Sequence, residues 1–523
     1  MRFKKNSAKI MLVIAISAIL MLLGACQKGN DNEIKDNKDK VNKDTLTVVI
    51  SEDPASVDPN NSDAQPHYQV TRQIYETLFV YDKEFNLEPC LAESYKYEDD
   101  ETIIIKLRQG VKFHNGEEFK ASDVLFTFKR IFDEKLPSLH NISKLVIDKC
   151  EAIDDYTLKL VTDGPAPTQL KMFEGPATAI MSEKAFIDSN GDFLNGAACG
   201  TGPYKFVSYD PGDKVVLVAN ENYWMEGQPK INNLVMRIIS DSSSRAIEAE
   251  TGGADIVYNI NAKDVKRIRE NKNLNLISEL GTNTSHLIMN LESAPLDNEL
   301  VRQAIWYGID TRSAVKVAYD DYGKLAEDWV SPGIKGDNPE IVKKFPTRDV
   351  EKAKQLLAEA GYADGLSLSI MVPSSIQDRC DMAETFQAQL AEIGVDLKVE
   401  TMEVSAWISN ILDSKHQMTI YGFSCPDFEA DGALNQLMPT NVNYNLCRFD
   451  NKEFQDTVNK AVRTIDNEQR YELYRDASEM LIENNVTLPL WHKELNAVVQ
   501  NDVKGFEITR SFEHHYLQNV SFE

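Results

Sequence analysis

The side chains that could do chemistry in this sequence do not assemble into a catalytic motif. Ser313 and Lys316 have the spacing of an SxxK pair, in which a lysine activates a serine nucleophile, but the companion SDN and KTG elements are absent. The Gly-Thr-Gly segment 200–202 begins like a nucleotide-binding loop, yet Pro203 follows it and there is no third glycine. We therefore predict a binding protein that is not an enzyme and that holds no cofactor or metal.

Cys26 is the residue with the clearest predicted chemistry. Residues 1–9 carry four basic side chains and no acidic one, and residues 10–23 carry no charge, which is typical of an export signal. Residues 23–26, Leu-Gly-Ala-Cys, resemble the lipobox of bacterial lipoproteins, in which the cysteine thiol receives a diacylglycerol. We predict that residues 1–25 are a lipoprotein signal peptide and that Cys26 is lipidated. The alternative is an ordinary signal peptide with a chance cysteine.

Residues 26–44 are predicted to form a flexible tether behind the lipid. Only Ile34 and Val41 are large and apolar in this stretch, so it cannot bury a core of its own. No later segment approaches the uninterrupted apolar length of about 18 residues that predicts a membrane-spanning helix. We expect a protein anchored on the outer face of the cytoplasmic membrane, the periplasmic side in a Gram-negative host, rather than one that spans it.

Composition and charge place the rest of the chain among soluble globular proteins. Of its 523 residues, 42% are hydrophobic and 26% charged. The 82 acidic and 56 basic side chains give a net charge of −26, and removal of residues 1–25 leaves 52 basic side chains and a net charge of −30. This balance argues against a nucleic-acid partner, because binding phosphates requires clustered lysine and arginine. Six further cysteines have no CxxC spacing, so free thiols are expected at Cys90, Cys150, Cys199, Cys380, Cys425 and Cys447.

Strand and helix patterns alternate beyond the tether. Residues 45–50 have the pattern of a first strand, and residues 350–360 place their apolar side chains on one helical face before a glycine. Residues 381–393 repeat the helical pattern, and residues 395–399 follow as a strand. This alternation predicts an α/β fold.

Nine sequence blocks then occur in an order that carries a family resemblance. They are SVDP at 56–59, YETLF at 75–79, EPCLAES at 88–94, LRQGVKFHNG at 107–116, ASDV at 121–124, GTGPY at 200–204, NYW at 222–224, VRQAI at 301–305 and LAEIGV at 390–395. Together they strongly resemble family 5 of the bacterial extracellular solute-binding proteins, the peptide and nickel receptors of ABC importers. The glycines of the GTGPY block suggest a bend where backbone passes close to backbone.

The resemblance implies a large class II periplasmic-binding-protein-like clamshell with two lobes. Lobe 1 would comprise residues 45–284, including an extra subdomain at 76–195, and would be completed by the return segment 488–523. Lobe 2 would comprise residues 285–487. A chain that crosses twice between the lobes supplies two hinge strands for closure. The resemblance further implies a monomer that delivers its solute to the permease subunits of an ABC importer.

The resemblance also indicates a ligand site on lobe 2. In peptide-binding members, a stretch of the form Gly-Trp-x-x-Asp-x-x-x-Pro pairs with the peptide as an added strand, and its Asp holds the α-ammonium. Gly422 and Phe423 match the Gly-Trp pair, but Pro426 occupies the Asp position. The ammonium anchor is therefore either missing or supplied by another acid. The candidate contacts in this stretch are Tyr421, Gly422, Phe423, Ser424, Asp427 and Glu429, with Asp431 as a further acid.

Other candidate contacts lie outside this stretch. Trp407 and Trp491, together with Tyr421, are predicted to wall the cleft, with an ordinary core role as the equal alternative. Ser56 lies in an early loop that faces the ligand in relatives. Arg379 is a candidate partner for the ligand carboxylate, although a solvated residue near a helix start is the favoured interpretation.

We predict that the ligands are di- to oligopeptides. The displaced acid keeps open the alternative of the same fold with a non-peptide solute, namely a nickel chelate, an opine, an oligosaccharide or haem. A peptide-sensing lipoprotein without transport is a further alternative, which the sequence does not separate from a transport receptor.

Overall fold

Strands and helices alternate in this computed structural model, which describes residues 43–62, 64–82, 85–320, 322, 324–425, 427–442, 444–510 and 516–523. The predicted signal peptide, Cys26 and nearly all of the predicted tether lie outside these residues. Asp44–Glu523 forms one compact unit. In the described ranges, no helix combines the length and the apolar character that crossing a bilayer requires.

The strands, in chain order, are β1 (Thr45–Ile50), β2 (Phe79–Tyr81), β3 (Leu87–Pro89), β4 (Ala92–Tyr97), β5 (Thr102–Leu107), β6 (Glu151–Asp154), β7 (Thr157–Val161), β8 (Tyr204–Asp210), β9 (Lys214–Ala219), β10 (Asn233–Ile238), β11 (Ile256–Tyr258), β12 (Leu274–Met289), β13 (Lys324–Leu325), β14 (Leu366–Pro373), β15 (Val395–Met402), β16 (Met418–Ser424), β17 (Thr487–Gln500), β18 (Val503–Lys504) and β19 (Ser521–Phe522).

The α-helices are α1 (Gln65–Ile74), α2 (Ala121–Glu134), α3 (Leu139–Ile142), α4 (Gln169–Met172), α5 (Glu183–Asp188), α6 (Ser242–Thr251), α7 (Ala262–Glu270), α8 (Glu299–Gly308), α9 (Thr311–Tyr319), α10 (Val350–Glu359), α11 (Gln377–Ala391), α12 (Val404–Leu412), α13 (Asp431–Leu434), α14 (Lys452–Ala461) and α15 (Asn467–Glu483). Short 3₁₀ turns lie at Ile147–Lys149, Pro176–Thr178, Ile341–Lys344 and Asn435–Leu437, and a π turn lies at Phe193–Ala197.

Eleven strands form one mixed sheet in the order β15-β14-β16-β12-β17-β11-β1-β10-β9-β8, with β13 paired to β17. A separate four-stranded antiparallel sheet has the order β4-β5-β7-β6. Parallel pairs such as β1–β10 and β14–β15 are connected through intervening segments that contain helices, as expected for parallel strands. The predicted α/β class is confirmed.

The long strands β12 and β17 connect the two lobes. They pair antiparallel from Leu274 opposite Gln500 to Ile288 opposite Thr487, with an irregularity between Leu280 and Thr284. Strands β11, β1, β10, β9 and β8 continue the sheet on one side, and β16, β14 and β15 continue it on the other. The predicted lobe boundaries at 284/285 and 487/488 fall within these two strands, and the lobe limits themselves stay a prediction.

Four groups of buried apolar side chains fill the unit. One packs in lobe 2 around Trp306, Trp329 and Phe386, and a second packs beside β1 around Leu46 and Tyr204. A third runs from Leu78 to Cys199 and covers the four-stranded sheet, and a fourth packs around Val49, Ala246 and Val498. The limits of the extra subdomain stay a prediction. The clamshell therefore consists of separately packed bodies that share the central sheet.

The predicted helices near lobe 2's edge lie close to their expected positions. The Asp349 carboxylate caps α10 by accepting a hydrogen bond from the Lys352 N–H at 2.9 Å, and Gly361 adopts φ +91° just beyond the helix end. Helix α11 starts at Gln377, four residues before the predicted position. The sequence does not predict this start, because no side chain caps it. Strand β15 extends three residues further than predicted, to Met402.

Several of the sequence blocks that carry the family resemblance contact each other. The buried Glu76 carboxylate accepts hydrogen bonds from Thr201 Oγ1 at 2.7 Å, from Tyr223 Oη at 2.7 Å and from Trp224 Nε1 at 2.9 Å. His114 lies with Nε2 3.0 Å from the Gly202 carbonyl oxygen. These residues hold the subdomain against lobe 1, so their role is structural.

Gly200 and Gly202 lie where two backbone segments meet. A Cβ atom at Gly202 would come within 2.7 Å of the Ile74 carbonyl carbon, and one at Gly200 would overlap the Ile74 carbonyl oxygen. Only glycine avoids this overlap. The predicted close approach of backbone to backbone is confirmed.

All six cysteines among the described residues are free thiols. Five of them are buried, and Cys150 is half-buried. Burial raises the pKa of the Cys90 and Cys447 thiols above their usual range. These thiols are therefore protonated at neutral pH.

Candidate ligand-binding cleft

Four aromatic side chains meet where α9, α12, β16 and β17 come together. The Trp407 and Tyr421 ring centroids are 6.2 Å apart, and those of Tyr319 and Trp491 are 5.3 Å apart. Trp407 and Trp491 are each only 3% exposed, whereas Tyr421 is half-buried. Two of the predicted aromatic residues, Trp407 and Tyr421, thus pair with each other, and the third, Trp491, pairs with Tyr319, which the sequence did not indicate. Asp378 contacts Tyr319, and Arg379 contacts Trp407.

Arg379 reaches both aromatic pairs. Its guanidinium carbon lies 5.0 Å from the centroid of the Trp407 ring, and its charge acts on Tyr421. Asp378, the preceding residue, accepts a hydrogen bond from Tyr319 Oη. Within the described residues, Nη1 of Arg379 is buried without a hydrogen-bond partner. Burial lowers the pKa of the guanidinium, and Arg379 as a whole is half-buried.

Lys493 lies on the same strand as Trp491. Lys493 follows Trp491 by two residues and lies at the irregularity in the pairing of β17 with β12. Burial lowers the pKa of its ammonium group, with Arg379 as a further cause and with Asp378 and Glu52 opposing it. The residue as a whole nevertheless has solvent-exposed surface. Because Glu52 follows β1 in lobe 1 and Asp378 belongs to lobe 2, Lys493 lies between the lobes.

Strand β16 has one partly open edge beside this cluster. It pairs along its length with β12, from Asn283 opposite Ser424 to Met289 opposite Met418. On its other side, the described strands pair with it only at Met418 and Thr419, through β14. The edge from Ile420 to Ser424 therefore has backbone groups that a further strand could pair with.

Gly422 and Ser424 fix the local shape of this edge. A Cβ at Gly422 would press against the Asn283 side chain, whose Nδ2 donates a hydrogen bond to Ser424 Oγ at 2.8 Å. Glycine at position 422 therefore leaves room for the link between β12 and β16.

Phe423 points away from the open edge into the core of lobe 2. It is 2% exposed, stacks on Trp329 with centroids 5.5 Å apart and contacts His286 at 5.3 Å. Neither ring nitrogen of His286 has a hydrogen-bond partner among the described residues. Burial lowers the pKa of His286 to about 3, and the nearby His492 is a further cause.

Replacing His286 with leucine is expected to make the protein more resistant to acid. Below about pH 6.5 the unfolded chain protonates this imidazole, whereas the folded protein does not until about pH 3, so the wild type loses stability as the pH falls. Urea denaturation at pH 7.5 and 4.5 is expected to show that the variant gains roughly 2–3 kcal/mol relative to wild type between these pH values.

The exposed His140 provides the matched control, because His140→Leu is expected to leave the pH dependence unchanged. An equal pH dependence in wild type and His286→Leu would contradict the prediction.

The predicted acids of the loop after β16 form a buried cluster. The Tyr81 hydroxyl donates to the Asp427 carbonyl oxygen at 3.1 Å, and Oδ2 of Asp427 has no partner in the described part of the chain. Burial raises the pKa of Asp427 to about 6, and the Glu429 charge adds to this effect. Burial and the Asp427 charge raise the pKa of Asp431 well above its usual range. Pro426 lies outside the described residues.

Two cations from distant parts of the chain neutralise this cluster. The Glu429 carboxylate is 0% exposed and accepts hydrogen bonds from Arg470 Nε and Nη2, each at 2.9 Å. Lys171 Nζ, in the subdomain, lies 2.5 Å from Glu429 Oε1. Although burial raises the pKa of Glu429, these two cations lower it below its usual range. Glu429 is thus occupied by protein cations, and its predicted contact with ligand stays a prediction.

Ser56 lies in the loop after β1. Its Oγ accepts a hydrogen bond from the Asp58 N–H at 3.0 Å, and the Asp58 carboxylate pairs with Arg130 in a buried ion pair at 2.5 Å. Asp58 therefore holds the turn. Ser56 is half-buried, and its predicted contact with ligand stays a prediction.

The cleft contains functional candidates that sequence reasoning did not include. Lys493 follows Trp491 at strand spacing, which is a signal that could have placed both on one face. Tyr319 and Asp378 come from separate helices, and no local pattern connects them with the aromatic residues. No group of three or more His, Cys, Asp or Glu side chains within the described ranges is arranged to hold a metal ion.

A cavity of about 190 Å³ lies in lobe 1, away from these residues. Arg72, Glu76, Cys90, Tyr223 and Tyr516 are among the residues that line it. None of the predicted site residues contributes to this cavity.

Two lobes joined by two strands, with aromatic and charged side chains between them, define the class of clamshell solute-binding receptors. The family described as "Bacterial extracellular solute-binding proteins, family 5 Middle" matches residues 86–445, and the chain belongs to this family. The predicted family is confirmed. Family 5 members are solute-binding receptors of ABC transporters.

Relatives and solved structures agree with this assignment. Heme-binding protein A of Haemophilus influenzae is 29% identical over 95% of this chain and 96% of its own length. The glutathione-binding protein GsiB of Escherichia coli strain K12 is 29% identical over 88% of this chain and 92% of its own. The periplasmic binding protein DppA of Helicobacter pylori, in complex with the peptide STSA, has a TM-score of 0.80 and 27% identity, covering 92% of this chain and 98% of its own. The predicted two-lobed fold is confirmed.

Proposed function

We propose that this protein is a lipid-anchored receptor that captures peptides outside the cell and delivers them to the permease of an ABC importer. The observation that carries the peptide assignment is the open edge of β16 from Ile420 to Ser424, next to Trp407 and Arg379. An extended peptide can add to such an edge as a further strand, because its backbone groups match those of β16.

Arg379 is proposed to bind the peptide carboxylate. A guanidinium pairs with a carboxylate through two parallel hydrogen bonds, and Arg379 has a buried Nη1 that lacks a partner in the described chain. The Trp407 ring below it fixes the guanidinium and excludes water from one side. This assignment replaces the solvated role that the sequence favours for Arg379.

The relatives support this proposal. The H. pylori neighbour is in complex with a peptide, and the E. coli relative is named for glutathione, which is itself a γ-linked tripeptide. Trp407, Tyr421 and Trp491 would then form the walls of side-chain pockets, with Ser56 approaching from lobe 1.

A non-peptide anion is the second candidate. Asp427 is 3% exposed and belongs to the buried acidic cluster, so an accessible ammonium anchor is not evident at this position. An opine or another carboxylate solute needs only the cationic part of the cleft. Such a ligand would use Arg379 without the open edge of β16.

The experiment that separates these candidates is identification of the bound ligand. The mature chain carrying Cys26→Ser is purified from the native host, and its co-purifying ligand is identified by mass spectrometry. Isothermal titration of the emptied protein with di- to hexapeptide pools is expected to give saturable binding. Binding of an opine, a nickel chelate, haem or an oligosaccharide without binding of any peptide pool would overturn the peptide assignment.

Lipid anchoring is tested in the same cells. Metabolic labelling with an alkyne fatty acid is expected to label the wild-type protein and not Cys26→Ser, which would be released from the membrane. An unlabelled wild-type protein would exclude the proposed anchor and leave the ligand assignment unaffected.

A further inference from the structure

We propose that Lys493 is a second anion-binding residue of the cleft and that the receptor selects peptides carrying an acidic side chain in addition to the terminal carboxylate. This inference rests on the proposed function, since it names the class of peptide that the same cleft accepts. The acidic side chain of the peptide would bind at the β17 side of the cleft.

The position of Lys493 makes it available to a ligand. Its strand, β17, connects the lobes, and Trp491 two residues earlier faces Tyr319 at 5.3 Å. Lys493 is solvent-exposed although the strand residues on both sides of it, from Leu490 to His492 and from Leu495 to Val499, are buried. Lys493 therefore keeps solvent-exposed surface within a buried strand, and its ammonium group lies within electrostatic range of Asp378 and Glu52.

Among the described residues, no carboxylate forms an ion pair with Lys493. The ion pairs and hydrogen bonds of the described residues include none made by its ammonium group, although Asp378 and Glu52 lie within electrostatic range. Asp378 is already engaged, because one oxygen accepts from Tyr319 Oη and the other from the Arg379 N–H at 3.0 Å. Arg379 adds a second positive charge nearby, which lowers the pKa of Lys493.

Two cations with open donors favour a ligand with two negative groups. The ammonium group of Lys493 has three donors, and the Arg379 guanidinium keeps a buried donor for the terminal carboxylate. A charge-assisted hydrogen bond to a second carboxylate is expected to strengthen binding about 10- to 100-fold over the matching amide. A peptide with an uncharged side chain would leave the Lys493 ammonium group beside Arg379 without a negative partner.

The test compares peptides that differ only in this charge. The mature Cys26→Ser protein is titrated calorimetrically with the pairs Ala-Glu and Ala-Gln, Glu-Ala and Gln-Ala, and their Ala-extended tripeptides. We expect at least one acidic peptide to bind 10-fold or more tightly than its amide. In Lys493→Met this ratio is expected to fall to about 1, whereas Lys493→Arg is expected to preserve it. Lys452→Met, at a side chain that is 85% exposed on α14, is the matched control and is expected to keep the wild-type ratio.

The outcomes distinguish failure of the proposed role of Lys493 from failure of the proposed peptide-receptor function. Peptide binding with equal affinities for every acid and amide pair would overturn the role of Lys493 and leave the peptide-receptor function intact. A wild-type preference that persists in Lys493→Met would also overturn it. Absence of binding by all peptides, with binding of another solute, would overturn the proposed function and this inference together. Circular dichroism of Lys493→Met excludes misfolding as the cause of a lost preference.

Discussion

Arg379→Met is expected to bind carboxylate-bearing peptides roughly 100-fold more weakly than wild type, within the range of about 2–5 kcal/mol that truncating one partner of a buried charge pair costs. The guanidinium lies over Trp407 at 5.0 Å in a site where burial lowers its pKa, so loss of its donors is expected to leave the carboxylate poorly compensated. Isothermal titration with a peptide that binds the wild-type protein measures the effect.

Two comparisons show whether the carboxylate is the group concerned. A peptide with an amidated C-terminus is expected to bind wild type and Arg379→Met with similar, weak affinity. Arg312→Met, on the exposed face of α9, is the matched control and is expected to leave affinity unchanged. Equal affinity of wild type and Arg379→Met for the unmodified peptide would exclude Arg379 as the anchor.

Arg470→Met is expected to lower the free energy of unfolding by about 3–5 kcal/mol, because it leaves the Glu429 carboxylate buried with only Lys171 as a nearby cation. Both side chains of the Arg470–Glu429 pair are almost fully buried, at 2% and 0% exposure. Urea denaturation at pH 7.5 measures the loss. A decrease below about 1 kcal/mol would mean that water reaches the carboxylate and replaces the arginine.

The double variant Arg470→Met/Glu429→Leu tests the cause. If the loss comes from an unpaired buried charge, removing that charge as well restores much of the stability. If Arg470 acts mainly through its packing, the second substitution adds a further loss. The double variant also leaves Lys171 without its ion-pair partner, so a partial recovery is the expected result.

Much of the fold could be predicted because its signals are local. The apolar spacing of residues 350–360 and the glycine after them indicate α10, and the GTGPY block indicates the bend at Gly200 and Gly202. Family blocks such as YETLF and NYW can be identified from the sequence alone. Their physical role, the hydrogen bonds of Glu76 to Thr201 and Trp224, depends on contacts across more than 120 positions of sequence.

The cleft was less predictable because its residues acquire their character from distant partners. Asp427 and Glu429 were sensible ligand candidates as loop acids, but Lys171 lies 258 positions from Glu429 and occupies its carboxylate. Phe423 matches the family's Trp position, yet its partners Trp329 and His286 place it in the core. The sequence favours a solvated role for Arg379, because it does not reveal the contact between the guanidinium and the Trp407 ring.

The position of β17 near the end of the chain has a consequence for biogenesis. This strand begins at Thr487 and contributes Leu488 and Trp491 to the packing of lobe 2, while Leu495 and Val499 complete the packing beside β1. A nascent chain therefore cannot finish either lobe until more than nine-tenths of it has been synthesised. The packing of both lobes is thus postponed, whereas the side chains from Leu78 to Cys199 can pack before β17 is synthesised.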